Sequence, residues 1–371
     1  MSRWGARAFA LLLPLFCSAS LSAQQPLATV PIGANTSAIA FNAATNKIYA
    51  VGGLGNTLVE IDGITFESTT IPLQSTGSQV ATAHVAVNPV TNQIYVINVV
   101  SNNVAVIDGL THAVSYIATE NGPYALAVNL VTNTVYVADF NANMVTIINA
   151  TKNTVKNVAV GINPSAVAID YLTNRVYVAN AVSNTVSVIN GTTDAVTTIP
   201  VSAYPTALAV DAPHDKIYVA NTQSNTITAI TSATGATQNI TVGSYPSEVA
   251  VDSATNTIYV AFQTSGNLVA VNGVTFVATI IPAGMFANQI VVDEWRNQIY
   301  VADPTGNQVV DIDGLTNTAT MFTGVGTYLW KIAVNPLTNE IYAANLISDD
   351  VTIFAGPPAK LPVTLLDLVH N

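Results

Sequence analysis

The chain has 371 residues, of which 50% are hydrophobic and only 8% charged, with a net charge of −11. Its solubility must rest on Asn, Thr, Ser and Gln, a balance that fits an exported β-rich protein better than a helical cytoplasmic enzyme. The acidic excess argues against nucleic acid and anionic membrane surfaces, since phosphate binding needs clustered Lys and Arg.

Residues 1–23 read as a secretory signal: Arg3 and Arg7 form the positive start, Ala8 to Phe16 the apolar stretch, and Cys17 to Ala23 the small-residue end. Pro14 and the shortness of the apolar run argue against a membrane anchor there, and no later segment is long enough to span. Cys17 is the one cysteine, so beyond the signal there is no disulfide framework, thiolate metal site or cysteine nucleophile. The chain is expected to be exported, to a periplasm or outside the cell, without membrane insertion.

Length alone favours two or more domains, but a repeat overrides it. A Tyr preceded by Ile or Val recurs at Tyr49, Tyr95, Tyr136, Tyr177, Tyr218, Tyr259, Tyr300 and Tyr342, with spacings of 46, then 41 five times, then 42. Within Pro164 to Pro205 the unit contains four short runs: SAVAID (165–170), RVYVAN (175–180), TVSVIN (185–190) and AVTTIPV (195–201). Each is rich in Val, Ile, Thr or Tyr and bounded by Asn, Asp, Gly, Ser or Pro, which signals strands and hairpins with no sustained helical period.

Four short antiparallel strands every 41 residues describe a blade of an all-β propeller. WD40 repeats share the spacing, but their Gly-His and Trp-Asp pairs are absent. TNQIYVIN (91–98), TNTVYVAD (132–139), TNRVYVAN (173–180) and TNTIYVAF (255–262) resemble the YVTN family of β-propeller repeats over nearly the whole chain. Ala replaces the Thr of the family name at Ala138, Ala179 and Ala220. The resemblance implies a propeller and an association with surface-layer proteins.

Eight blades of four-stranded antiparallel sheet are expected across residues 24–355, with seven as the alternative, followed by a Pro-containing tail at 356–371. Leu27 to Gly33 (LATVPIG) matches Val155 to Gly161 (VKNVAVG), so an N-terminal strand should close the ring; LPVTLL (361–366) competes for that slot. The recurring Tyr and Ala (Ala86, Ala127, Ala168, Ala209, Ala250) read as interblade packing. Asn129, Asp170, Asp211 and Asp252 read as turn-forming scaffold rather than metal ligands, because one per blade around a ring cannot converge on an ion.

Function is sought where the repeats break symmetry. Four residues before the end of each innermost strand stand Ala38, His84, Ala125, Ala166, Ala207, Glu248, Gln289 and Lys331. His84, Glu248, Gln289 and Lys331 form a polar arc near the channel mouth, beside the long loop Ser75 to Thr82. Tyr204, Tyr245, Phe286 and Tyr328 occupy matching positions above it, with Tyr124 and Trp330 nearby; such a rim suits a glycan, a peptide or a cationic ligand. Glu120, Asp139, Asp303, Asp349 and Asp350 join Glu248 on that face, while Lys47, Lys152, Arg175, Lys216 and Arg296 fall on the opposite one.

The reading is an exported, monomeric binding propeller whose partner is a protein or glycan of the cell envelope, with no cofactor and no metal. The rival is a lyase or lactone hydrolase in which His84 and Glu248 exchange protons and Lys331 steadies an oxyanion. Against it, His112, His214 and His370 lie away from the arc, and no G-x-S-x-G, phosphate-loop or dinucleotide motif is present.

Overall fold

The computed structural model describes residues 24–33, 35–52, 56–73, 84–283 and 286–358. The signal segment, the loop Ser75 to Thr82 and the run LPVTLL lie outside the described residues.

Among the described residues are 32 strands and one short 3₁₀ turn, Ala212–His214. The strands form eight four-stranded antiparallel sheets, each a blade. Blade 1 runs Thr36–Asn42, Lys47–Gly52, Thr57–Asp62 and Ser68–Pro72 from the inside outward. Blades 2 to 7 repeat this order. Blade 8 takes Leu329–Asn335, Glu340–Asn345 and Asp350–Ala355 from the C-terminal end and its outermost strand, Ala28–Pro31, from the N-terminal end. The N-terminal strand therefore wins the contested slot, pairing Ala28 with Ile353 and Pro31 with Asp350. Each innermost strand packs against those of both neighbouring blades, which closes an eight-bladed β-propeller around a central channel.

The core lies between blades rather than in one place. Tyr49, Val51 and Leu58 of blade 1, for example, pack on Ile94, Val96, Ala105 and Ile107 of blade 2. All eight repeat Tyr are fully buried. In seven blades the residue across from this Tyr on the inner strand is Ala, as in Ala127 with Tyr136 and Ala168 with Tyr177; blade 7 uses Val291. A small residue there leaves room for the ring. Inner-strand residues such as Ala166, Val167 and Ala168 stay half-buried at the centre of the molecule, because water reaches them along the channel.

Turns do two jobs. The carboxamide of Asn129 accepts from the N–H groups of Val131 and Thr132, making the turn. Its Nδ2 then donates to Asn174 Oδ1 of the next blade at 2.9 Å. Asn42 with Asn92, Asn88 with Asn133, and Asn335 with Asn46 repeat this link at 2.8, 2.7 and 2.6 Å. The receiving Asn in each pair has a left-handed backbone, φ near 50°, which Asn tolerates better than other non-glycine residues.

Four of the five basic residues of the face opposite the mouth are engaged. Lys47 pairs with Asp62 at 2.8 Å, Arg296 with Asp293 at 2.9 Å, Lys216 donates to Thr231, and Arg175 donates to the Ser232 carbonyl. The same face also carries Asp108, Asp170, Asp211, Asp252 and Asp313 in its turns. The charge contrast between the two faces is thus weaker than the sequence positions imply.

Candidate functional site

The inner strand of six blades is bulged between its first and third residues, for instance between Pro246 and Glu248 and between Leu329 and Lys331. A bulge re-aims the residue it contains. Here it places Tyr124, Ser165, Thr206, Ser247 and Trp330 at the mouth, one step above the polar arc.

The arc residues keep a common level. Glu248 lies opposite Ala261 and Lys331 opposite Ala344, both half-buried on channel strands. Burial pushes the Glu248 carboxyl upward, and the charge of Lys331 partly opposes that rise. Burial pulls the His84 imidazole down to about 4, with the Lys331 charge adding to the effect. Lys331 therefore acts on groups two blades away on either side. No ion pair forms at Lys331 or Glu248 among the described residues. Gln289 is partly committed: its Oε1 accepts from the Ile332 N–H at 2.7 Å, tying blade 7 to blade 8. His84 stands with Tyr124, ring centroids 6.1 Å apart, and Tyr124 continues to Phe140 at 5.4 Å.

The aromatic rim separates into parts. Tyr204, Tyr245 and Tyr328 have φ of 60°, 56° and 62°, a left-handed conformation rare for a bulky side chain. Asn35, Gly122 and Asn163 hold the matching positions in blades 1, 3 and 4. Each of these backbones is pinned in the same way whatever its side chain. Tyr204, Tyr245 and Tyr328 donate their N–H to Asn184, Asn225 and Asn307 of the preceding blade, as Gly122 and Asn163 donate to Asn102 and Asn143. The scaffold asks only for a left-handed backbone, which Gly or Asn supplies at less cost. The three tyrosines are unnecessary for the turn.

Phe286, Tyr328 and Trp330 come together. With Ser247, Gln263, Ala287, Asn288, Pro304 and Thr305 they line a cleft of about 320 Å³ across blades 6, 7 and 8 at the mouth. The rings of Tyr328 and Trp330 stack with centroids 5.9 Å apart and planes within 14°. Asn288 holds the cleft in shape by donating through Nδ2 to the Trp330 carbonyl at 2.7 Å. Tyr204 and Tyr245 do not line it, and Tyr124 faces His84 elsewhere on the mouth. Grooves of about 340 and 390 Å³ between outer strands elsewhere are lined without aromatic rings, so size alone does not select the mouth cleft.

Ser247, Gln263, Asn288 and Thr305 were not singled out from sequence. Gln263 carried a usable signal: it follows Phe262, where most blades end the second strand in Asn or Asp.

No family model matches this sequence, and no curated protein matches it. Solved structures do. Saccharomyces cerevisiae Sqt1 superimposes with a TM-score of 0.78 at 12% identity, covering 91% of this chain and 100% of that one. Kuenenia stuttgartiensis hydrazine synthase gives 0.61 at 18% identity, over 75% of this chain and 96% of that one. The chain is a β-propeller. At these identities the likeness concerns the fold, and function must be argued from the site.

Proposed function

We propose that this chain is an exported propeller of YVTN type that binds a partner of the cell envelope at its channel mouth, without performing chemistry on it. One observation carries the reading: blades 5, 6 and 8 place a tyrosine where the backbone asks only for Gly or Asn, and three mouth aromatics enclose a cleft. Glu248 and Lys331 in the channel below, which form no ion pair among the described residues, add polar groups available to a bound molecule. The composition of residues 1–23 supports export.

A second reading, proton-transfer catalysis by His84 and Glu248, is favoured by the reach of the Lys331 charge to both. It is opposed by the same environment. An imidazole pulled down to about 4 is a poor proton acceptor at neutral pH. No hydrogen bond joins His84 to Glu248 among the described residues.

The test is thermal stabilisation of the protein by glycans, peptides, polyamines and divalent ions, beside a His84→Ala, Glu248→Ala, Lys331→Ala triple variant and a Tyr328→Asn variant. A ligand at a hundred times its dissociation constant adds about 2.7 kcal/mol to folded stability. Stabilisation reduced in either variant supports the mouth site. Stabilisation equal in the parent and both variants places binding elsewhere and ends this reading. Turnover of a lactone or cyclic ester that vanishes in His84→Ala replaces it with the catalytic one.

A further inference from the structure

The chemistry of the cleft narrows the ligand. None of its nine lining residues carries a formal charge. Glu248 and Lys331 follow Ser247 and Trp330 directly in sequence, yet both belong to the channel below and neither lines the cleft. A polyamine or a cationic peptide would find no facing carboxylate there, and an acidic oligosaccharide no cation.

What the cleft offers is a pair of parallel ring faces, a third ring from Phe286, and neutral hydrogen-bonding groups. An aromatic face carries negative charge density, so it attracts C–H groups polarised by neighbouring oxygens. A pyranose ring presents such C–H groups on its flat sides and hydroxyls around its rim. The Gln263 side chain is exposed and presents both a carbonyl acceptor and amide donors, a match for adjacent hydroxyls. Asn288 spends its Nδ2 on the Trp330 carbonyl and, among the described residues, keeps its side-chain oxygen as an acceptor; the Ser247 hydroxyl donates to the Ala261 carbonyl at 3.5 Å and offers its oxygen as a further acceptor. Trp330, Tyr328 and Asn288 are held by one another and by the Asn307 contact to the Tyr328 N–H, so the platform exists before a ligand arrives.

We infer that the cleft between blades 6, 7 and 8 binds a neutral saccharide, stacked on Tyr328 and Trp330 and hydrogen-bonded by Gln263 and Asn288. This rests on the mouth-face reading above and names its ligand class.

The experiment is isothermal titration of the full chain with cellohexaose, maltohexaose, chitohexaose and mannohexaose, against oligogalacturonate and spermidine as charged probes. Binding of at least one neutral hexaose is expected. It should weaken at least about tenfold in Trp330→Ala, in Gln263→Ala and in Tyr328→Asn. Tyr328→Asn removes a ring while supplying the residue found at Asn35 and Asn163, so it keeps the turn folded. Trp295→Ala, which removes an 88% exposed Trp from the opposite face, should leave affinity unchanged. Failure of all four neutral probes, or neutral binding indifferent to the three cleft variants, overturns the inference. Spermidine or oligogalacturonate binding that depends on Trp330, without neutral binding, also overturns it while leaving the mouth as the binding face. If every probe fails here and no ligand class stabilises the protein in the thermal series, the mouth-face reading falls with it.

Discussion

Asp139 occupies the place that Asn180, Asn221 and Asn345 hold in other blades. There the Asn180 and Asn345 amides donate to a hydroxyl seven residues on, at 3.0 Å to Ser187 and 2.9 Å to Thr352, while the Asn221 oxygen accepts from the Thr228 hydroxyl at 2.8 Å. Asp139 accepts from Thr146 at 2.6 Å, fully buried, and that burial pushes its carboxyl up to about 6. Because the folded value lies above the ordinary 3.8, the group costs nothing below that pH, and its penalty grows as pH rises through about 6. Asp139→Asn should therefore stabilise the protein at neutral pH by about 1–2 kcal/mol, with the gain gone near pH 4; denaturant melts at both pH values check this. His84 has the opposite sign. Its folded value near 4 lies below the ordinary 6.5, so stability should fall as pH drops through that window, and His84→Ala should flatten this limb of the Tm profile. Tyr204→Asn belongs at the same scale: it removes left-handed strain at φ 60° and should raise stability by about 1 kcal/mol. A tyrosine selected for the scaffold would instead lower stability when removed.

At the scale of the element, the turn leaving each inner strand is also a clasp to the next blade. Asn129 is 1% exposed, accepts two turn N–H groups and donates across the junction to Asn174. Asn129→Ala should cost about 2 kcal/mol, because it orphans turn donors and the partner amide together. Asn129→Asp should cost under about 1 kcal/mol, since a carboxylate still makes the turn and the partner amide can rotate to donate. Blade 6 already shows that arrangement: with its amide turned to donate, Asn297 reaches Asp252 Oδ2 at 3.0 Å. Melting both variants side by side separates the turn from the clasp.

For the whole molecule, stability depends on closing the ring. The N-terminal strand hydrogen-bonds to blade 8 through Leu27 to Ile353 and Ile32 to Asp349, at 2.7 and 2.9 Å. Val30 and Ile32 are buried beside Ile48, Ala50 and Val59 of blade 1. Removing residues 24–33 should cost about 3–5 kcal/mol from these two side chains alone. It also leaves the edge of Asp350–Ala355 unpaired and open to association. Denaturant melts and size-exclusion chromatography of the truncated chain test both consequences.

Much of this architecture was legible from period and turn chemistry. Eight recurrences of Tyr within a run of β-branched residues, at near-constant spacing, pointed to eight blades over the alternative of seven, and the structure has eight, each with one inner pocket for that ring. The match of LATVPIG to an outer strand favoured the N-terminal end for closing the circle over the competing LPVTLL run, and the structure seats the N-terminal strand there. The level of His84, Glu248, Gln289 and Lys331 was readable too, as a break in a row of alanines. What their side chains do was not, since Gln289 turned out to tie two blades together while Lys331 acts on charges two blades away. The cleft needed the tertiary structure most of all. Gln263, Phe286, Thr305 and Trp330 come from three blades spanning 68 positions of sequence, and only ring closure and the bulges set them around one space. Local pattern determines each strand and turn because those forces act between near neighbours. Which exposed side chains converge is decided by the blade-to-blade packing that carries distant segments to the same mouth.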